Sequence, residues 1–427
     1  MGNNGTGTTG ELVDQTILDA LAAVNSASDT DKLEVIKDYV NLNSTAFKTL
    51  DKDNTTESVP TGYYLIKDNG PVGEGGSYSL YVVKVVGPTT IKPKTGTTTS
   101  EKKVKDTNDS TNSTTGWQDS ADYDINDFVP FQLKATIAGD YENYTNGYKL
   151  TFHDTEADGL SFVASSVKVY VDGEEITSGY EVVTEHLNDG CTFEVRFANL
   201  KKIESVHAGS VITVEYNSKL NENAVIGSVG NKNTMHVTYT NNPNDEQAGE
   251  NGETPDDTVI VFTYKTIVNK VTKNPNYDPS VEGSQEYIPL EGAGFTLFKK
   301  NAEGEYDPVS EELKGDNMTT FEWKGLDDGD YKLSETTTPA GYNTIKDIEF
   351  TITAEHDVES DNPALTSLSG GNSFTGEVTT GAVKADIVNN TGSMLPSTGG
   401  IGTTIFYAAG IILMAGAVFF VVRRRAN

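Results

Sequence analysis

Cysteine is almost absent. Cys191 is the only one in 427 residues, so no disulfide can form within the chain. Positive charge is scarce as well: 32 Lys and Arg stand against 63 Asp and Glu, for a formal net charge of −31. That sign excludes the basic footprint that nucleic acids require. The five histidines, His153, His186, His207, His236 and His356, do not fall at metal-ligand spacings. The sequence has no phosphate-binding glycine loop and no nucleophile–histidine–acid set, so neither an enzyme nor a cofactor is expected. The start lacks an apolar core of an export signal, since Met1-Gly2-Asn3-Asn4 leads into polar sequence. Long apolar runs are missing everywhere but one place.

That place is Ile401 to Val422, 22 residues without a charge. As a helix it would be roughly 33 Å long, enough for a bilayer core. Leu395-Pro396-Ser397-Thr398-Gly399 precedes it, and Arg423-Arg424-Arg425 follows it on the side that stays cytoplasmic. A short peptide, a span and a basic tail in this order resemble the cell-wall sorting signal of Gram-positive surface proteins. The resemblance implies that a sortase cleaves between Thr398 and Gly399 and passes the Thr398 acyl group to an amine. It implies a membrane-spanning precursor and a mature protein on the cell wall, outside the cell. Such a tail without an export signal at the start is inconsistent, so the first domain is expected to be incomplete.

The rest of the chain reads as mainly β. Val13, Ile17, Leu21 and Val24 recur at helical spacing, as do Leu33, Ile36 and Val40. Strands are predicted at Tyr63–Ile66 and Tyr78–Val86, which makes residues 1–100 a small α+β domain ending in a Thr/Gly/Ser-rich linker. Short strands divided by turn residues, from Gly147–Asp154 to Asn233–Thr240, predict a sandwich over 101–257. A second β-rich unit is predicted over 258–391, opening with Val259–Val271 and closing with Ala385–Asn389. Residues 392–427 are the sorting tail. The expected architecture is thus two tandem immunoglobulin-like β-sandwiches after the α+β domain, with a C-terminal transmembrane helix.

Tyr331-Lys332-Leu333-Ser334-Glu335-Thr336-Thr337-Thr338-Pro339-Ala340-Gly341-Tyr342, preceded by Leu290–Phe295, resembles the signature of collagen-adhesin B-type domains. In that family a first-strand Lys and a last-strand Asn form an isopeptide bond with the help of the Glu. The resemblance implies Lys270, Asn389 and Glu335 in those roles. Alternation puts Tyr331, Leu333 and Glu335 on one strand face, so the acid points where the apolar residues point. Burial would raise the pKa of the acid and lower that of the lysine, leaving an amine able to attack the amide.

Glu101-Lys102-Lys103-Val104, Tyr148–Asp154 with Gly159–Phe162, and Val237–Pro243 resemble the isopeptide-forming middle domain of fimbrial subunits. Lys102 shares a face with Val104, Asp154 with Leu150 and Phe152, and Asn241 with Val237 and Tyr239. The expected set is Lys102 and Asn241 with Asp154 as the acid; Lys103 and Asn242 are the alternatives. Ile91-Lys92-Pro93-Lys94-Thr95 resembles a degenerate pilin motif, with Lys92 and Thr95 where the common form has Tyr and Asn. It implies Lys94 as the intersubunit amine, with Lys92 as the alternative. The acidic turns Asp106–Asp109 and Asn242–Asp257 lack EF-hand spacing, read as solvated loops, and give no metal site.

The resemblances together imply the major (shaft) subunit of a sortase-assembled pilus on the cell wall. Implied partners are a sortase, identical subunits and peptidoglycan, with host surface ligands reached through minor pilins. A monomeric wall-anchored adhesin is the alternative.

Overall fold

In a computed structural model of the chain, the described residues are 14–24, 35, 45–51, 55–67, 80–90, 97–187, 189–243 and 251–392. The second amphipathic helix, Lys92, Lys94, the Leu395–Gly399 peptide and the apolar segment 401–422 fall outside them. Among the described residues, no helix is long and apolar enough to cross a membrane.

Helix α1 (Gln15–Ala23) starts where the Asp14 carboxylate accepts the Thr16 amide hydrogen at 2.8 Å, and it buries Ile17 and Leu21. Strands β1 (Gly62–Lys67) and β2 (Leu80–Val85) pair antiparallel.

Two packed sheets form the middle domain. One contains β3 (Thr99–Val104), β4 (Phe128–Thr136) and, further along the chain, β6 (Val211–Leu220), side by side in the order β6–β4–β3. The other sets β5 (Leu150–Glu156) beside β7 (Asn231–Thr240) and then β8 (Asp257–Phe262). Strict alternation drives this arrangement. In β6, Ile212, Val214, Tyr216, Ser218 and Leu220 turn inward and the residues between them do not. Phe131, Phe152, Phe193, Phe197 and Tyr239 fill the space between the sheets.

The third domain repeats the two-layer plan. Strand β9 (Tyr264–Lys273) lies between β11 (Thr320–Leu326), antiparallel, and β13 (Ala382–Asn389), parallel. The facing sheet pairs β10 (Gly294–Lys300) with β12 (Gly329–Thr337), which pairs in turn with Ile348–His356. Phe295, Phe321, Trp323 and Tyr331 pack between the layers.

Strand β8 belongs to both sandwiches. It completes the middle domain's sheet by pairing with β7, yet its side chains alternate between two cores. Val259 and Val261 pack into the middle core, and Ile260 and Phe262 into the third. The sequence reading placed a boundary at 257/258, where the polar, acidic run Asn241–Asp257 ends. In the structure the chain passes from one sheet to the next only after Phe262. The seam is tight. Gly227, at φ +92, lies against Gly381 so closely that an added Cβ would sit 2.6 Å from the Gly381 nitrogen.

Candidate functional site

In the third domain, β9 and β13 run parallel with Thr272 opposite Asn389, which brings Lys270 and Asn389 onto neighbouring positions of one inward face. Glu335 reaches the same point from β12 in the facing sheet. Lys270 and Asn389 are both 0 % exposed, and Glu335 is 7 % exposed. The Lys270 Nζ donates to Asn389 Oδ1 and lies 3.2 Å from Glu335 Oε1. Asn389 Nδ2 donates to the same Glu335 oxygen at 2.8 Å. The other Glu335 oxygen accepts the Ile345 amide hydrogen at 3.0 Å, which fixes the carboxyl group. The Phe295 ring, 5.4 Å from the amine, closes the pocket on one side. Burial pulls the Lys270 pKa down, and Glu335 opposes that pull. Amine, amide and acid therefore meet in a dry site, in the arrangement that aminolysis of an amide requires.

The middle domain holds a second such site, and this one bridges its two sheets. Lys102 enters from β3, and Asp154 from β5. Both are 0 % exposed, and the Lys102 amine donates to Asp154 Oδ2. Tyr216, on β6, lies 3.0 Å from that amine and donates to the same carboxylate oxygen at 3.0 Å. Burial lowers the Lys102 pKa and raises that of Asp154; each partner's charge works against the shift. The environment thus favours a neutral amine beside a protonated acid.

The structure does not bring Asn241 to Lys102. Met235 is the β7 residue opposite Asp154, and Asn241 is six residues further on. That is roughly 20 Å along a strand, far beyond the reach of a lysine side chain. Alternation puts Asn241 on the inward face of β7, at the end away from Asp154. On that face, next to Met235, stands Asn233, which is 0 % exposed. Its Nδ2 donates to the Tyr216 hydroxyl at 2.8 Å, and its Oδ1 is buried without a hydrogen-bond partner. Asn233 is thus one hydroxyl removed from the Lys102 amine, a position the sequence reading missed. The alternatives also lie apart: Lys103 pairs with Asp119 at 2.6 Å on the outer face, and Asn242 follows Asn241 at the far end.

Two further expectations change. Asp106–Asp109 is not a solvated turn, because Asn108 donates to Asp328 and Asp109 pairs with Lys299, both in the third domain. His153, isolated in sequence, has Nδ1 2.6 Å from Asp189 and 3.5 Å from Glu194.

A family of prealbumin-like fold domains, SpaA, matches residues 282–363, and the LPXTG cell wall anchor motif matches residues 387–427. The trypsin-resistant surface T6 protein of Streptococcus pyogenes serotype M6 is 26 % identical over 337 residues, 64 % of this chain and 60 % of that protein. The chain therefore spans about 60 % of the length of that curated relative. Among solved structures, the T6 backbone pilin of serotype M6 Streptococcus pyogenes superposes with a TM-score of 0.48 at 17 % identity, covering 75 % of this chain and 78 % of that one. A 35 kDa C-terminal fragment of the major pilin GBS80 of Streptococcus agalactiae gives 0.45 at 21 % identity, covering 69 % and 99 %. The chain carries a SpaA prealbumin-like domain and an LPXTG anchor of the Gram-positive cell wall, and it is similar to a streptococcal surface protein, T6.

Proposed function

We propose that this chain is the shaft subunit of a covalently polymerised pilus, reinforced by isopeptide bonds inside each sandwich. The observation that carries the reading is the pair of buried amine–acid sites, each with an asparagine amide at hand, in tandem domains ahead of a sorting peptide. At the third-domain site the neutral Lys270 Nζ attacks Cγ of Asn389. A bond forms between Nζ and Cγ, and the bond from Cγ to Nδ2 breaks. Glu335 relays the proton shed by Nζ to the departing Nδ2, which leaves as ammonia. At the middle site Lys102 attacks Cγ of Asn233, with Asp154 as the relay and Tyr216 aligning amine and amide. Each product is a neutral amide, which a buried site holds without the cost that an ionised lysine would carry.

Between subunits the same chemistry runs through a sortase. The enzyme cleaves after Thr398, and the Lys94 amine of a neighbouring subunit takes the acyl group. A head-to-tail contact of this kind does not close on itself and grows a fibre. The last subunit joins peptidoglycan. Replacing Lys94 by Ala tests the reading in cells that express the cognate sortase. Wild type should give a denaturant-resistant ladder on gels, and Lys94→Ala should give monomer still attached to the wall. A wild type that never forms a ladder would mean a monomeric wall-anchored adhesin.

A further inference from the structure

Carboxylates crowd the junction between the two sandwiches. Asp106, Asp109, Asp122, Asp124 and Asp127 come from the middle domain, and Asp327 and Asp328 from the turn between β11 and β12. Lys299 is the cation among them, 3.0 Å from Asp109, 2.5 Å from Asp124 and 3.4 Å from Asp327. One ammonium cannot balance this many acids. Nor does water reach the two at the centre, since Asp122 is 2 % exposed and Asp327 is 0 % exposed. A buried carboxylate without a counter-charge is strongly unfavourable.

A second, independent observation points to something between these groups. Oδ2 of Asp122 is fully buried and has no hydrogen-bond partner. Oδ1 of Asp106 is in the same condition, and the buried Tyr264 hydroxyl faces Asp122. Carboxylate oxygens of Asp122, Asp327 and Asp328 lie within 4.8 Å of one another, close enough to share one ion. His356 Nδ1 is held 2.7 Å from the Ser120 hydroxyl and its Nε2 lies 3.7 Å from Asp106, to one side; the Asp122, Asp327 and Asp328 set itself offers oxygen donors alone. Hard divalent cations take such donors. Ca²⁺ suits irregular carboxylate sets drawn from several loops, whereas Mg²⁺ demands near-octahedral geometry and retains its waters.

We propose that Asp122, Asp327 and Asp328 bind one Ca²⁺ ion that pins the middle and third domains together. Without such an ion the cluster would have to hold protons. The two domains each supply ligands, so the ion can bind only while they are docked. Its binding stabilises the docked arrangement by mass action. The inference does not depend on the crosslinks or on polymerisation.

The test is calorimetric titration of CaCl₂ into the full chain after treatment with a chelator, paired with thermal unfolding. One Ca²⁺ per chain is expected to bind, and Tm is expected to rise with Ca²⁺ concentration. The Asp122→Asn/Asp327→Asn double variant should bind at least tenfold more weakly. Asp328→Asn, at a half-buried position, provides a second variant if the double one does not fold; with an unchanged circular dichroism spectrum it too should lose at least tenfold in affinity. Absence of Ca²⁺ binding at millimolar concentration in wild type would overturn the proposal, with protons neutralising the cluster instead. Unchanged Ca²⁺ affinity in folded Asp328→Asn, or binding of Zn²⁺ where Ca²⁺ does not bind, would overturn it as well.

Discussion

The Lys270 amine and the Asn389 amide meet across two parallel strands at a point that solvent does not reach. Glu335 touches both. The geometry makes the acid the group on which crosslinking depends. Glu335→Ala should leave the third domain uncrosslinked and the mature protein heavier by about the mass of one ammonia, roughly 17 Da, after correction for the substitution. It also leaves the buried Lys270 amine without its acid partner, which costs about 1–3 kcal/mol. A Tm lower by on the order of 10 °C for that domain is expected by calorimetry.

The middle domain separates two asparagines on one strand face. Asn233→Ala should abolish the Lys102 crosslink, and Asn241→Ala should leave it intact. Peptide mapping distinguishes the two directly. A branched peptide containing Lys102 is expected in Asn241→Ala digests and not in Asn233→Ala digests. Tyr216→Phe removes the hydroxyl between amine and amide, and should slow bond formation in freshly folded protein without preventing it.

Glu156 gives the middle domain a pH dependence. Burial, reinforced by the nearby Asp154, pushes its carboxyl up to about 7. A carboxyl raised on folding stabilises the fold while it is protonated in both states, and that contribution is lost as the group ionises. Stability should therefore fall as pH rises from about 4.5 to about 7. Glu156→Gln should flatten this part of the profile, as measured by chemical unfolding at closely spaced pH values. The Ser218 hydroxyl that donates to Glu156 can donate to the amide oxygen instead, so the variant is expected to fold.

Gly227 and Gly381 test the seam. Their backbones touch and both have positive φ, so any side chain strains the contact. Gly227→Val should cost about 1–3 kcal/mol in docking the domains. Small-angle scattering should show a broader range of domain separations, and proteolysis near Thr263 should quicken, while each sandwich keeps its own fold.

Much of this was legible in the sequence. The Glu335 motif gave a strand and its inward face, because a period of two leaves little freedom once one residue of a face is known; Lys270 and Asn389, named only by resemblance, lie beside that carboxyl in the structure. The sandwich class followed from the density of short strands. What stayed hidden depends on register and on long-range contact. Alternation put Asn233 and Asn241 on one face, and only the pairing of β7 with β5 shows which of them lies near Asp154. The unbroken apolar run of β8 resembled an ordinary core strand, and nothing local reveals that its two faces serve different cores. Asp106 and Asp327 are distant in sequence, and each looks like a solvated turn residue until the domains dock.

The central claim is that buried lysines are acylated within both sandwiches, and intact mass of the folded protein tests it most directly. The account predicts a mass about 34 Da below the sum of the residues, one ammonia lost per bond, with mapped branches joining Lys270 to Asn389 and Lys102 to Asn233. A mass equal to the residue sum would contradict it.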